Sequence, residues 1–338
     1  LRAVSLYSGA GGLDLGFVRE GFDITWAIDN DPFAVDTYNA NLEQVAVCGD
    51  VLKTGPPPEF RPDVVVGGPP CQGFSVIGRM DPYDPRNQHV ENFLDVVEAL
   101  RPRAFVMENI KALGTSPRWA SVREWLLQRS QDLGFSTEIF ILNASHYGVP
   151  QARERMFMIG IRDGTPQYPI PSRNGHSTTV RSTLSNLPVF CSPGNDDISK
   201  VRVVPACIPV VRGSAYKGSL LFNGSGRPLD LDSPAKTLTA SGGNSLPIID
   251  QLELEEGADP WVVEYYRYLK NKGLPIDEAP DRMRRITVQE FAALQTFPQD
   301  WSWNGPQSAR YRQIGNAVPP LLAEAVARSI REVLDGRG

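Results

Sequence analysis

Short apolar runs alternate with stretches of helical spacing over residues 1–165. Arg2–Leu6 reads as a strand, followed by a glycine turn and a helix from about Leu13 to Glu20. Ile24–Ile28 is a second strand, Pro32 opens a second helix, and a third β-type run closes at Gly49-Asp50-Val51. Val64–Val66 is a compact strand ending in Gly67-Gly68-Pro69-Pro70, and Ala104–Met107 is another, ending at Glu108-Asn109. Val90–Leu100 and Trp119–Leu133 have helical spacing, while Ser136–Leu142 and Met156–Ile161 are strand-like. This alternation predicts an α/β fold with a doubly wound, mostly parallel sheet covered on both faces. Ligands on such sheets sit beyond the carboxyl ends of the strands.

Near residue 165 the texture changes. Residues 166–280 are rich in Pro, Gly, Ser and Thr, with short β-type pieces and little helical periodicity, which marks a smaller, irregular, β-rich second domain. Ile198–Pro247 holds Lys200, Arg202, Arg212, Lys217, Arg227 and Lys236 against only Asp230 and Asp232. Asp250–Glu264 then carries six acids and no base. A solvated face explains either run as readily as a binding surface does. A helical pattern returns at Thr287, and after an Asn316–Pro320 loop Leu321–Leu334 reads as a terminal helix.

Composition narrows the classes. A chain of 338 residues suits two domains, or one with an insertion, and its 41% hydrophobic content is enough for a real core. No apolar stretch approaches the ~20 residues of a membrane span. The opening LRAVSLYSGAGG lacks the apolar centre of a secretory signal. Cys48, Cys71, Cys191 and Cys207 show no CxxC spacing, so a metal site or disulfide framework is not expected and a reduced cytoplasmic setting is. The net charge of −5 argues against a protein that coats nucleic acid by bulk charge, but leaves room for a local basic groove.

The strand ends carry the candidate chemistry. In Tyr7-Ser8-Gly9-Ala10-Gly11-Gly12 the glycines let backbone approach a ligand at a helix N-terminus. Asp29 closes the next strand and suits ribose hydroxyls, and Asp50 could accept from an adenine amino group. Together they favour an adenosine-containing ligand, and the lack of GxGxxG counts against a dinucleotide. A purely structural turn remains the other reading. In Gly68-Pro69-Pro70-Cys71-Gln72-Gly73-Phe74-Ser75, a Cys follows a Pro pair at a strand end, which suits a nucleophile held at the ligand edge. Most lone cysteines are small buried hydrophobes, but the flanking prolines and position favour the nucleophile here. Glu108-Asn109 closes an adjacent β-type strand, so thiol and carboxyl would share one crevice. A carboxyl of raised pKa there can protonate a ring nitrogen. In Gln151-Ala152-Arg153-Glu154-Arg155, alternation places Arg153 and Arg155 on one face, as for a phosphate, a carbonyl or a salt-bridged edge.

These motifs, in this order, resemble the DNA (cytosine-5) methyltransferase family of the bacterial restriction-modification type. YSGAGG is similar to its first motif, AIDND to its second and GGPPCQGFS to its nucleophile motif. VMEN resembles its Glu-Asn motif, QARER its paired-Arg motif, and RRITVQEFAALQTFP and QIGNAVPP its last two. Tyr7 departs mildly, standing where Phe is commoner. The resemblance implies an S-adenosylmethionine-binding catalytic domain of Rossmann-like fold over 1–165 plus 306–338, with a target-recognition domain and hinge over 166–305.

It further implies that the Cys71 thiolate attacks C6 of a flipped-out cytosine, making C5 nucleophilic. Glu108 would act at N3, Asn109 would support the loop, Arg155 would steady the base or thiolate, and Arg153 would complete the catalytic set. Tyr7, Ser8, Gly9, Gly11, Gly12, Leu13, Asp29, Asn30, Asp50, Val51, Pro70, Asn316 and Ala317 would bind S-adenosylmethionine. Ser75, Ile77, Arg79, Arg227 and Thr237 would contact DNA, Ile77 as the side chain that fills the hole left by the flipped base. The implied partners are double-stranded DNA and a cognate restriction endonuclease, with a monomer as the default. Alternatives are the family's tRNA-methylating branch, a DNA-binding member without catalysis, and a nicotinamide dehydrogenase.

Overall fold

A computed structural model describes residues 1–57, 59–70, 88–171, 178–239 and 243–336. The chain divides into two compact units: Leu1–Gly148 with Arg153–Gly175 and Ala317–Gly338, and Val149–Ala152 with His176–Asn316.

The first unit is built on strands β1 (Arg2–Leu6), β2 (Asp23–Asp29), β3 (Ala46–Cys48), β4 (Val64–Gly67), β5 (Ala104–Ile110) and β6 (Ser136–Asn143). After β7 (Gln151–Ala152), which pairs elsewhere, β8 (Glu154–Ile161) completes the sheet. Among the described residues seven strands pair in the order β3-β2-β1-β4-β5-β8-β6. The first five are mutually parallel, while β8 runs antiparallel to both β5 and β6. Valine-rich β4 is buried along its whole length, as expected of a parallel strand covered on both faces. The strand order reverses between β1 and β4, where open α/β sheets bind their ligands.

The unit's helices are α1 (Gly12–Arg19), α2 (Pro32–Asn41), α3 (Gln88–Leu100), α4 (Lys111–Thr115) and α5 (Ala120–Asp132). In α3 the apolar positions Val90, Phe93, Leu94, Val97 and Leu100 recur at helical spacing and are all buried. Phe93 and Leu94 join Val4, Leu6, Val65, Phe105 and Met107 in one core.

The second unit is built differently. Its strands are short: β9 (Pro205–Val210) pairs with β10 (Leu220–Phe222), β11 (Ala235–Lys236) with β7, and β12 (Ile248–Asp250) with β13 (Met283–Arg285). Between them lie α6 (Val180–Leu184), α7 (Gln251–Glu256), α8 (Trp261–Lys270), α9 (Val288–Leu294) and α10 (Gln307–Asn316). Helix α8 falls inside the stretch that reads as having little helical periodicity. Its buried face, Val262, Tyr265 and Leu269, is set among the partly buried Trp261 and Tyr266 and the exposed Tyr268, which blur the pattern. Asn316, which reads as the start of a loop, is the last residue of α10. Tyr311 donates to the Ile286 carbonyl at 2.6 Å and Gln295 to that of Ile314 at 2.8 Å. Those bonds hold α10 within the second unit, so the chain returns to the first at Ala317 rather than at 306.

From Ala317 the chain enters α11 (Pro320–Leu334), which packs on α1. A Cβ at Gly16 would lie 2.5 Å from that of Ala323, so glycine is needed for this approach. No helix among the described residues is long and apolar enough to cross a membrane.

Candidate active site

Strand register assembles the site. Leu6 pairs with Ile28 on one side and Gly67 on the other, and Gly67 pairs with Met107. Four carboxyl ends therefore stand level across β2, β1, β4 and β5. The next residue along each strand is Asp29, Tyr7, Gly68 and Glu108. A single row thus joins the glycine turn, the ribose candidate, the Gly-Pro-Pro turn and the candidate acid.

The glycine turn is tightly wound. Tyr7, Gly9 and Gly11 all have positive φ, at 56°, 54° and 88°. Gly11 caps α1 with no side-chain bond, leaving first-turn N–H groups for a ligand. The Ser8 N–H donates to the Ile28 carbonyl at 3.0 Å, tying β1 to β2. Asp29 accepts from the Gly9 N–H at 2.8 Å through one oxygen and from the Asp31 N–H at 2.9 Å through the other. Burial raises its pKa and those bonds partly offset the effect. Each oxygen keeps acceptor capacity for a hydroxyl. Asn30, next in the chain, is exposed.

Asp50 is more occupied than expected. It accepts from the Leu52 N–H at 3.1 Å and lies 3.2 Å from Lys53 Nζ, and these interactions lower its pKa. Its capacity toward an adenine is therefore shared with a turn it caps. Val51 is buried beside it.

Two further residues of this region carry no mark in the sequence. The Tyr7 hydroxyl lies 3.1 Å from Nδ1 of His89, and Asn92 donates to the Val51 carbonyl at 3.4 Å. Both sit on the first turns of α3. Only their i, i+3 spacing was visible in sequence, and it does not identify a partner 82 residues away.

The other half of the candidate site rests on β5 and β8. The antiparallel ladder carries β5 past Met107, so Glu108 and Asn109 lie within the strand, opposite Phe157 and Met156. Ile110 pairs with Arg155. Arg155 Nε reaches Glu108 Oε1 at 3.1 Å, with both side chains mostly buried. Burial raises the Glu108 pKa; Arg155, then Arg153, act against it. Both guanidiniums therefore bear on this carboxyl. A Cβ on Gly68 would lie 3.1 Å from Glu108 Oε2, so the carboxyl sits against the Gly-Pro-Pro turn. Asn109 is buried and donates through Nδ2 to the Pro69 carbonyl at 3.1 Å. Its Oδ1 accepts from the Ile110 N–H at 2.9 Å. Pro70 is the last described residue before the candidate nucleophile. Cys71, Ser75, Ile77 and Arg79 lie outside the described residues.

The remaining candidates belong to the second unit or its border. Arg227 is half-buried and donates to the Ser219 carbonyl at 2.7 Å. Thr237 is exposed and donates to the Ala152 carbonyl at 3.1 Å, while Leu238 N–H donates to Gln151 Oε1 at 2.8 Å. Asn316 ends the second unit and Ala317 begins the return to the first.

Comparison with known proteins places the chain in a family. The model of the C-5 cytosine-specific DNA methylases matches residues 1–332. The chain is 33% identical to the type II methyltransferase M1.HphI of Haemophilus parahaemolyticus, over 98% of this chain and 86% of that protein. It is 32% identical to M.XorII of Xanthomonas oryzae pv. oryzae, over 98% of this chain and 84% of that one. The fold resembles that of the S. pombe Dnmt2 methyltransferase, with a TM-score of 0.69, 19% identity, and coverage of 98% and 99% of the two chains.

Proposed function

The chain belongs to the C-5 cytosine-specific DNA methylases, and from that membership we propose how its residues share the work. The enzyme transfers a methyl group to C5 of cytosine in DNA, as the type II modification methyltransferases it resembles do. We assign catalysis to the first unit and reading of the target duplex to the second. The observation that carries the assignment is the level row of strand ends that brings Glu108 against the turn leading to Cys71.

S-adenosylmethionine fits the residues of the glycine turn. Ser8 Oγ is buried with no partner among the described residues, and nothing lies within 4 Å of where a Cβ on Gly9 would stand. Asp29 has acceptor capacity for ribose hydroxyls, Tyr7 and Val51 supply walls for adenine, and Asp50 contributes a further acceptor. When bound, S-adenosylmethionine supplies an electrophilic methyl group.

Cytosine C5 alone is a poor nucleophile. The Cys71 thiolate adds to C6, and the ring electrons move toward C5 and N3. Glu108, kept protonated more readily by its burial, donates to N3 and stabilises that charge. Asn109 positions the turn through the Pro69 carbonyl. Arg155 orients Glu108 and tempers its basicity, with Arg153 adding its charge from β8's start. After methylation, loss of the C5 proton expels Cys71 and restores the aromatic ring. The target base must leave the stack first, at a cost of a few kcal/mol. We place the enzyme in the cytoplasm, acting as a monomer on double-stranded DNA beside a cognate endonuclease.

The test is methyl incorporation from labelled S-adenosylmethionine into duplex DNA and into tRNA, followed by bisulfite sequencing of plasmid from expressing cells. The reading expects incorporation into DNA at one recurrent sequence. Incorporation into tRNA alone would overturn it.

A further inference from the structure

The Tyr7 ring is fastened in a way that a phenylalanine at this position could not be. Its hydroxyl lies 3.1 Å from His89 Nδ1 and 3.3 Å from the His89 carbonyl oxygen. Either ring tautomer satisfies it. A bare Nδ1 accepts the hydroxyl proton; a protonated Nδ1 donates to the hydroxyl oxygen while the proton goes to the carbonyl. The two rings also meet edge to face, with centroids 5.5 Å apart and planes at 81°. Asn92, one turn further along α3, bonds the Val51 carbonyl and also bears on the Tyr7 hydroxyl. The same helix thus grips the glycine turn after β1 and the turn after β3.

Backbone strain makes the grip consequential. Tyr7 is a non-glycine residue at φ 56°, in the left-handed region that L side chains rarely adopt. Such a conformation persists only where its surroundings over-determine it. The hydroxyl bond, the edge-to-face contact and burial of the ring provide that restraint. Burial raises the Tyr7 pKa and lowers that of His89, so at neutral pH the hydroxyl keeps its proton and the imidazole is uncharged.

We propose that His89 is a positioning residue for the cofactor site, holding the Tyr7 ring through the tyrosine hydroxyl so that cofactor affinity depends on the start of helix α3. Asn92 fixes the facing turn at Val51 in the same register. The proposal rests on the reading of Tyr7 as a wall of the S-adenosylmethionine site. It adds a polar tether that ring stacking alone does not need.

Calorimetric binding of S-adenosylhomocysteine to the full chain tests it without turnover. Tyr7→Ala tests the underlying reading and should abolish measurable binding. Tyr7→Phe and His89→Ala should each weaken binding by about threefold to tenfold, the range of one net hydrogen bond. The double variant should fall well short of the product of the two single losses, because both remove the hydroxyl–imidazole bond. His89→Asn, whose Oδ1 can stand where Nδ1 stood, should recover most of the loss. In steady state, His89→Ala should raise KM for S-adenosylmethionine more than it lowers kcat. Unchanged binding in Tyr7→Phe and His89→Ala, or fully multiplicative losses in the double variant, would overturn the tether while leaving Tyr7 in the site. Unchanged binding in Tyr7→Ala would overturn the reading beneath it, and with it the proposal.

Discussion

The two units use different materials to hold polar groups in place. In the first, apolar central strands carry the candidate chemistry at or near one edge of the sheet. Val64, Val65 and Val66 are fully buried and offer no side-chain hydrogen bonds, yet their register sets Gly68 beside Glu108. In the second, strands of two to six residues cannot fix register alone, and polar side chains do that work. Arg282 makes two bonds of 2.7 Å to Asp250, and Arg284 grips Glu290, itself part of the α9 capping box with Thr287. Gln151, buried, bonds Gln295 at 2.9 Å and the Leu238 N–H at 2.8 Å. A sheet of continuous apolar strands suits a fixed reaction centre. Short elements joined by specific polar pairs allow the surface between them to vary, which suits a unit assigned to reading different DNA sequences.

The contrast predicts where mutations act. Glu108→Gln should lower methyl transfer by about 10²–10⁴-fold, the usual worth of a general acid, while the protein stays folded. A circular-dichroism melt beside a methyl-transfer assay separates the two effects. In the wild type, kcat should fall as pH rises through the Glu108 pKa, which lies above the ordinary carboxylate value. In the proposed mechanism protonated Glu108 is the donor, so the Gln variant should lack that limb.

Arg284→Ala should show the opposite profile, losing about 3–5 kcal/mol because Glu290 is left charged and buried. Urea denaturation measures the loss. A smaller effect belongs to Asp14, buried in the first turn of α1 with Ser5 Oγ donating to it at 2.8 Å. Burial pushes its pKa up to about 6 from 3.8. The folded protein then holds a proton that the unfolded chain has lost, so the contribution of Asp14 to stability is fully present below about pH 4 and is lost as pH rises through about 6. A shift of that size amounts to about 3 kcal/mol at most. Asp14→Asn should flatten the slope when denaturation is followed across pH 4–7. Asn109→Ala should cost least, about 1–3 kcal/mol for a buried carbonyl left without its donor, with activity falling alongside.

The same contrast governs what could be read from the sequence. Runs such as Val64–Val66 bounded by Gly and Pro announce buried strands, so the carboxyl edge of the sheet and the place of Glu108 along it could be read from the sequence. The reversed direction of β8 could not, because an apolar run carries no mark of its orientation. The extension of β5 through Ile110 follows from that antiparallel ladder and was hidden with it. Helix α10 was hidden because Gly315 lies inside it and its stability comes from bonds such as Tyr311 to Ile286. His89 could not be found either. Nothing local distinguishes a helix histidine that meets a tyrosine hydroxyl from one facing solvent.

The most direct test of the account asks whether Cys71 bonds to the target base. A duplex carrying 5-fluorocytosine at the site found by bisulfite sequencing, incubated with enzyme and S-adenosylmethionine, cannot release a C5 proton. The account predicts a denaturation-stable protein–DNA adduct, mapping by peptide mass to Cys71 and absent from Cys71→Ser. Normal methylation of ordinary duplex by Cys71→Ser, or an adduct mapping to another residue, would contradict it.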